Sequence, residues 1–303
     1  MHKDIVNAFS LSAKKAATEH PDFLMEWSYQ KKNRHIGDPS FKSDFGHPFN
    51  FEGVNDLCRF WDWGVSHNPP YFSAERLCHL EDWLVRFDKN IASKLGIIYD
   101  FNQQCYRHGI VRMSAQDYLF NNLYPDPYAQ NGLRILDFGS GFGRQAASWK
   151  LFHPVDLTFI SVDAIEKSYC TQFLYYSCFE GLFQDYVIDP EGFHLNDISK
   201  GLFHLPTWKI DLIPDNYLDK IIFCQVLPEL SVSLIKYLLP KLCAKLKPGG
   251  TIYVRDHKTS WTPVHGFDSD KYLLEHGMHL EFSPILNDKH HIHGIPRIFR
   301  KDF

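Results

Sequence analysis

The chain lacks a long apolar run, an excess of either charge and a paired-cysteine motif, and each absence excludes a class of function. None of its 303 residues fall in an apolar stretch near the roughly 20 residues that cross a bilayer, so no membrane partner is expected. Lysine and arginine number 32 against 36 acids, a net charge of −4, and no local stripe of basic residues appears. A polyanion would find no attractive field, and no nucleic-acid partner is expected. Cys58, Cys78, Cys105, Cys170, Cys178, Cys224 and Cys243 are odd in number and form no C-x-x-C pair. That usage fits reduced, buried thiols in a cytoplasmic protein. The opening MHKDIVNAFSLSAKK has no signal-peptide core, which points to the same compartment. Repeats and low-complexity tracts are absent too.

What is present is concentrated in ILDFGSGFGRQAASWK, Ile135 to Lys150. An apolar strand from Leu133 to Phe138 carries Asp137 near its end. It runs into Gly139, Ser140, Gly141 and Gly143 before a helix that begins at Arg144. Glycine lets a ligand lie against bare backbone, and the helix start offers unpaired N–H groups at a positive dipole end. Twenty residues beyond Gly143 a second strand, LTFISVD, ends in Asp163, where a ribose-binding acid is expected. Strand, glycine loop, helix, strand and acid together form the signature of a nucleotide site.

Charge decides which nucleotide. A dinucleotide sets its pyrophosphate on the glycine loop, where Asp137 would repel it. The spacing is G-x-G-x-G, and the dinucleotide spacing G-x-G-x-x-G is not met. S-adenosylmethionine has no phosphate and carries an ammonium and a sulfonium, which suit an acid at the first strand's end. The segment resembles the glycine-rich motif of class I S-adenosylmethionine-dependent methyltransferases, over roughly Leu133 to the C-terminus. The resemblance implies S-adenosyl-L-methionine as cofactor. It also implies an α/β fold: a seven-stranded Rossmann-like sheet with an antiparallel final hairpin.

The pattern along the chain divides it in two. Residues 1–130 read as a helical, aromatic-rich cap or substrate region, and 131–303 as the cofactor-binding domain. In the first part LCHLEDWLVRFDKNIASKL puts Leu77, Leu80, Trp83, Leu84, Phe87 and Ile91 on one helical face. FNFEGVNDLCRFWDWGVSHNPPYFS reads as loop-rich, and YPDPYAQNG as a turn between the parts. Strands are expected at 133–138, 157–162, about 202–206, 219–224 and 251–255, alternating with helices as in a parallel sheet. KLKPGG reads as the turn before the fifth strand. A helix from Asp270 to His276 stops at Gly277, and HLEFSPIL with IPRIFRK forms the closing pair.

Asp163 is expected to accept from both ribose hydroxyls, and Asp137 to meet the methionine ammonium. Gly139, Ser140 and Gly141 would offer backbone to the amino-acid end. Trp208, after the third strand, is a candidate adenine wall, although a lone Trp is more often core. Gln225, at the outer end of the fourth strand, faces the same cleft. Methyl transfer needs an aligned nucleophile and a dry site, and a hydroxyl nucleophile also needs a base. His257 is the candidate base, with Asp256 to orient it, and Glu229 in QVLPELS is the alternative. His290, His291 and His293 in HHIHG fit three readings: a metal half-site, groups that hydrogen-bond a polyol, and plain surface histidines. No metal is assigned. NPPY, Asn68 to Tyr71, matches a motif of amino-group methyltransferases but lies far from the fourth strand, so it reads as a turn.

GSGFGRQA and the ending HIHGIPRIFRK further resemble the sugar O-methyltransferases of bacteria. That resemblance implies a small-molecule acceptor, a sugar or nucleotide sugar, closed over by the cap. Trp61, Trp63, Tyr71 and Phe72 are then candidate walls for a sugar ring. Two alternatives stay open: methylation of a nitrogen in a metabolite or protein side chain, and a non-catalytic partner subunit. A cap lined by acids would favour an amine. The oligomeric state is not legible.

Overall fold

A computed structural model describes residues 2–19, 51–63, 70–123, 132–153, 156–196, 200–227, 230, 232–256, 268–284 and 294–302. The fold grows around β1, Leu133–Phe138, whose residues are buried on both sides save Arg134. A strand buried on both faces reads as a continuous apolar run and belongs in the middle of a parallel sheet. It pairs in parallel with β2, Leu157–Asp163, on one side. Beyond β2 lie β4, Gly201–Pro206, and the three-residue edge strand β3, Phe183–Asp185. On the other side β1 pairs with β5, Leu218–Cys224, and β5 with β6, Leu246–Asp256. The sheet closes with β8, Ile295–Lys301, antiparallel to both β6 and the edge strand β7, Met278–Phe282. The order is β3-β4-β2-β1-β5-β6-β8-β7.

This is the expected Rossmann-like sheet with its reversed final hairpin, with eight strands where seven are expected. The additional strand is β3, too short to show a period-two pattern in the sequence. β6 also starts earlier than expected. KLKPGG is not a free turn, because Leu246 pairs with Leu218 before an irregularity in the register restarts the ladder at Thr251.

Helices cover both faces. In chain order they are α1 (His2–Glu19), α2 (Asn55–Asp62), α3 (Ala74–Leu95) and α4 (Arg112–Asn121) before the sheet. Within and after it come α5 (Arg144–Phe152), α6 (Glu166–Ser177), α7 (Val232–Lys245) and α8 (Ser269–Glu275). Ile5 and Phe9 of α1 share a core with α7 and with Leu136, Phe138, Ile160 and Val162 on one sheet face. Leu57, Phe60 and Trp61 of α2, with Leu84 and Ile91 of α3, share the other core with Leu133, Ile135 and Phe159. Alternation along β1 and β2 sends neighbouring side chains to opposite cores.

Two readings of the N-terminal part change. The stretch that reads as loop-rich contains α2, where Leu57, Phe60 and Trp61 fall at helical spacing and are buried. Trp83 does not join the buried face of α3. It is 42% exposed, and the Arg86 guanidinium lies 4.6 Å from its ring centre. No described helix is long and apolar enough to cross a membrane.

The closing hairpin is fixed by a charge. Arg297 on β8 is fully buried and donates from Nη2 to Asp256 Oδ1 at 2.5 Å and from Nε to Asp270 Oδ1 at 3.0 Å. Its Nη1 donates to the Ile295 carbonyl at 2.8 Å. Removing one partner of a buried ion cluster leaves the others uncompensated. Arg297→Met should therefore cost about 3–5 kcal/mol of stability. Urea unfolding at neutral pH checks this, and a midpoint like that of the wild type would contradict it.

Candidate functional site

The chain leaves β1 toward β2 and comes back to β5 on the opposite side of β1, so a crevice opens beyond the ends of β1 and β5. Ligands of open α/β sheets bind at such a switch point. The glycine loop forms its floor. Gly139 has φ +70, and a β-carbon there would sit 2.4 Å from Val226 Cγ2 in the loop after β5. Gly141 has φ +61 and nothing within 4 Å of where its β-carbon would be, so bare backbone faces the opening. Gly143 precedes α5 behind this wall. The Ser140 hydroxyl donates to the Asp137 carbonyl at 2.7 Å, and the Gly143 N–H donates to the Ser140 carbonyl at 2.9 Å, tightening the loop.

The cleft holds about 1200 Å³, its open mouth included. Asp137, Gly139, Ser140, Gly141, Asp163 and Gln225 all line it. Gln225 takes φ +60, a conformation costly for a side-chain-bearing residue, and its N–H donates to the Arg255 carbonyl at 2.8 Å. Several lining residues are not singled out by the sequence. Ala164, Ile165, Ser168 and Thr207 stand beside Asp163, with Leu230 and Leu234 completing an apolar slot. Phe60, Trp63, Ile110 and Met113 come from the N-terminal segment. Their apolar character is visible in the sequence, but nothing local distinguishes a cleft wall from a core position.

Trp208 is not an adenine wall. Its indole packs against Phe9 with ring centres 5.2 Å apart and donates to Ser12 Oγ at 3.1 Å. It belongs to the core under α1, and the neighbouring Thr207 lines the cleft instead. Asp256 ends β6 as expected, but it does not line the cleft and is bound to Arg297. Its Oδ1 is taken by that ion pair. Glu229 and His257 lie outside the described residues, as do His290, His291, His293, Asn68 and Pro69. Among the described residues no cluster of three or more metal-ligating side chains occurs. Trp61 is buried in the core, and Tyr71 and Phe72 pack on Phe120, so of the four candidate walls only Trp63 lines the cleft.

Behind the cleft lies a buried polar cluster centred on Asp117 of α4. Its Oδ1 accepts from Tyr253 Oη and Arg255 Nε, both at 2.6 Å. Its Oδ2 accepts from Arg255 Nη2 at 3.0 Å, Arg144 Nη2 at 2.9 Å and Gln145 Nε2 at 3.1 Å. Burial opposes its ionisation, but Arg255 and Arg144 outweigh burial and hold its pKa at about 2. The Cys224 thiol, on the cleft wall, points at the same carboxylate, with Sγ 3.6 Å from Oδ2. Burial, then the Asp117 charge, pushes the thiol's pKa far up.

Asp137 is treated differently. It is 1% exposed, and its Oδ2 has no hydrogen-bond partner. Burial raises its pKa to about 7, with Arg144 acting against the rise. Because the folded value lies above the ordinary 3.8, the group's contribution to stability is fully present below about 3.8 and is lost as pH rises through 7. Asp137→Asn should accordingly stabilise the ligand-free protein by about 2–4 kcal/mol at pH 8 and change little at pH 4. Thermal melts at the two pH values test the sign, and equal effects at both would refute it.

No family model matches the chain, and no curated protein matches it. Solved structures do resemble it. An S-adenosylmethionine-dependent methyltransferase from Mesorhizobium loti shares 14% identity at a TM-score of 0.42, over 60% of this chain and 96% of that one. An O-methyltransferase family 2 protein from Planctomyces limnophilus, in complex with apigenin, shares 15% identity at a TM-score of 0.40, over 62% and 58%. The [4+2]-cyclase SpnF shares 13% at 0.44, over 75% and 96%. Likeness this distant says nothing about what the present chain acts on.

Proposed function

We propose that the chain is an S-adenosylmethionine-dependent methyltransferase that methylates an oxygen of a small polar acceptor such as a sugar or nucleotide sugar. The observation that carries this is the buried carboxylate of Asp137, with one oxygen unpartnered beside a G-x-G-x-G loop. A buried carboxyl whose ionisation burial opposes is completed by a cationic ligand, which favours its charged form, whereas a pyrophosphate would oppose it further.

The residues fit that cofactor. Asp137 would meet the ammonium, and the bare backbone at Gly141 would let the methionine end approach. Arg144, on the same wall and held by Asp117, would add a positive charge near the cofactor's carboxylate. Asp163, which accepts from the Ile165 N–H at 2.9 Å and from Gln172 Nε2 at 3.0 Å, would also accept from the ribose hydroxyls. Ala164, Ile165, Leu230 and Leu234 offer the apolar slot that an adenine needs. When bound, the cofactor supplies an already activated methyl group. What remains for the protein is to align the acceptor, keep water out and take its proton.

Phe60, Trp63, Ile110 and Met113 of the N-terminal segment roof the cleft, and an acceptor would lie against them. An indole is suited to the apolar face of a sugar ring, whereas an amine acceptor would be better served by carboxylates. Asp137, Asp163, Arg144 and Cys224 are the titratable groups among the described lining residues, and all four have other tasks or are held protonated. The base is assigned in this proposal to His257, with Glu229 as the alternative; in sequence they follow β6 and β5.

Calorimetry with S-adenosylhomocysteine and with NAD tests the cofactor. The first should bind in the micromolar range, weakening about tenfold per pH unit below 7 as Asp137 takes up a proton and levelling above it. NAD should give no heat. Tight NAD binding without a response to the other ligand would refute the function. For the base, His257→Ala should lower kcat by about 10²–10⁴-fold with cofactor affinity unchanged. Normal turnover in that variant and loss in Glu229→Gln would move the role to Glu229.

A further inference from the structure

Behind the wall that carries Asp163 runs a buried relay of side chains that the chemistry above does not use. Asp185 on β3 faces His204 on β4, with Oδ2 2.7 Å from Nδ1. The other ring nitrogen, Nε2, lies 2.8 Å from Gln172 Oε1 on α6. Gln172 then reaches forward, and its Nε2 donates to the Gly141 carbonyl at 2.8 Å and to Asp163 Oδ2 at 3.0 Å. His204 is fully buried, stacked on Tyr169 with ring centres 3.7 Å apart and met edge-on by Tyr176. Asp185 and, through Gln172, Asp163 are the charged groups facing this relay among the described residues.

The proton positions follow from the acceptors. Gly141 O and Asp163 Oδ2 only accept, so the Gln172 amide must turn its NH₂ toward them and its carbonyl toward His204. A carbonyl oxygen 2.8 Å from Nε2 requires that Nε2 carry a hydrogen. A second proton must lie between Nδ1 and Asp185, because two bare acceptors 2.7 Å apart repel. The ordinary neutral histidine beside a carboxylate, with Nδ1–H and a bare Nε2, does not satisfy this arrangement. Burial lowers the pKa of His204, with the hydrogen bond and the charge of Asp185 acting against the fall.

We propose that His204 and Gln172 are positioning residues of the cofactor site. The Nε2–H of His204 fixes the Gln172 amide, and that amide holds the ribose acid Asp163 and the glycine loop at Gly141 in register with each other. The proposal rests on the reading of Asp163 as the ribose contact. It also gives the additional edge strand a task, since β3 delivers Asp185.

Nitrogen-15 NMR of the ligand-free protein reads the ring directly, with His204 Nε2 expected to be protonated from pH 6 to 8. Two substitutions separate the two ring nitrogens. His204→Gln places an amide N–H near the Nε2 position and should keep most of the affinity for S-adenosylhomocysteine. His204→Asn reaches only the Nδ1 position and, like Gln172→Leu, should weaken binding roughly 10- to 100-fold. The wild type should also lose affinity when the ligand lacks its 2′-hydroxyl, and that penalty should shrink in Gln172→Leu. A bare Nε2 in the wild type, or retention by His204→Asn with loss in His204→Gln, would overturn the proposal even if both variants were unstable to heat. Failure of the wild type to bind S-adenosylhomocysteine overturns the function and with it the cofactor role, whereas the NMR result judges the proton relay without any ligand.

Discussion

Asp117 sits where three parts of the molecule meet, and its charge is what lets them bury their polar groups together. It is carried by α4, in the N-terminal segment, and gathers Arg255 and Tyr253 from β6 together with Arg144 and Gln145 from α5. Each of those groups would be costly to bury alone. Around one ionised carboxylate their donors are satisfied. The same contact holds Arg144 on the cleft wall and so sets the field felt by Asp137. The N-terminal helices are thus joined to the cleft by charge as well as by the apolar core they share with the sheet.

Two neighbouring carboxylates show how surroundings divide one chemistry. The cations around Asp117 hold its pKa down at about 2, whereas burial pushes that of Asp137, which has an unpartnered oxygen, up to about 7. The first is finished within the protein. The second is left for something to complete, which is why it carries the functional reading.

Much of this was legible in the sequence because the sheet and the glycine loop are local patterns. The strand LRILDF, its three glycines and the acid ending LTFISVD follow from spacing and hydrophobic period alone. The cleft's roof was not legible, since Phe60 and Ile110 look like any buried helical residue until the fold brings them over the loop. Trp208 illustrates the opposite error, a correct strand end with a side chain that turns under α1. Asp256 illustrates another: its place at the tip of β6 was right, and its partner Arg297, forty-one residues on, was invisible to a local reading. Gln172 and His204 carried no signal, because neither belongs to a motif and their meeting depends on β3, which is too short to announce itself.

The Cys224 thiol gains a different meaning from its place on the cleft wall. A thiolate would be the strongest nucleophile among the side chains there, and in a chamber that held an alkyl donor it would itself be alkylated. Burial and the adjacent Asp117 charge keep the sulfur protonated. The carboxylate that ties the helices to the sheet would, in such a chamber, also guard the protein against alkylating itself.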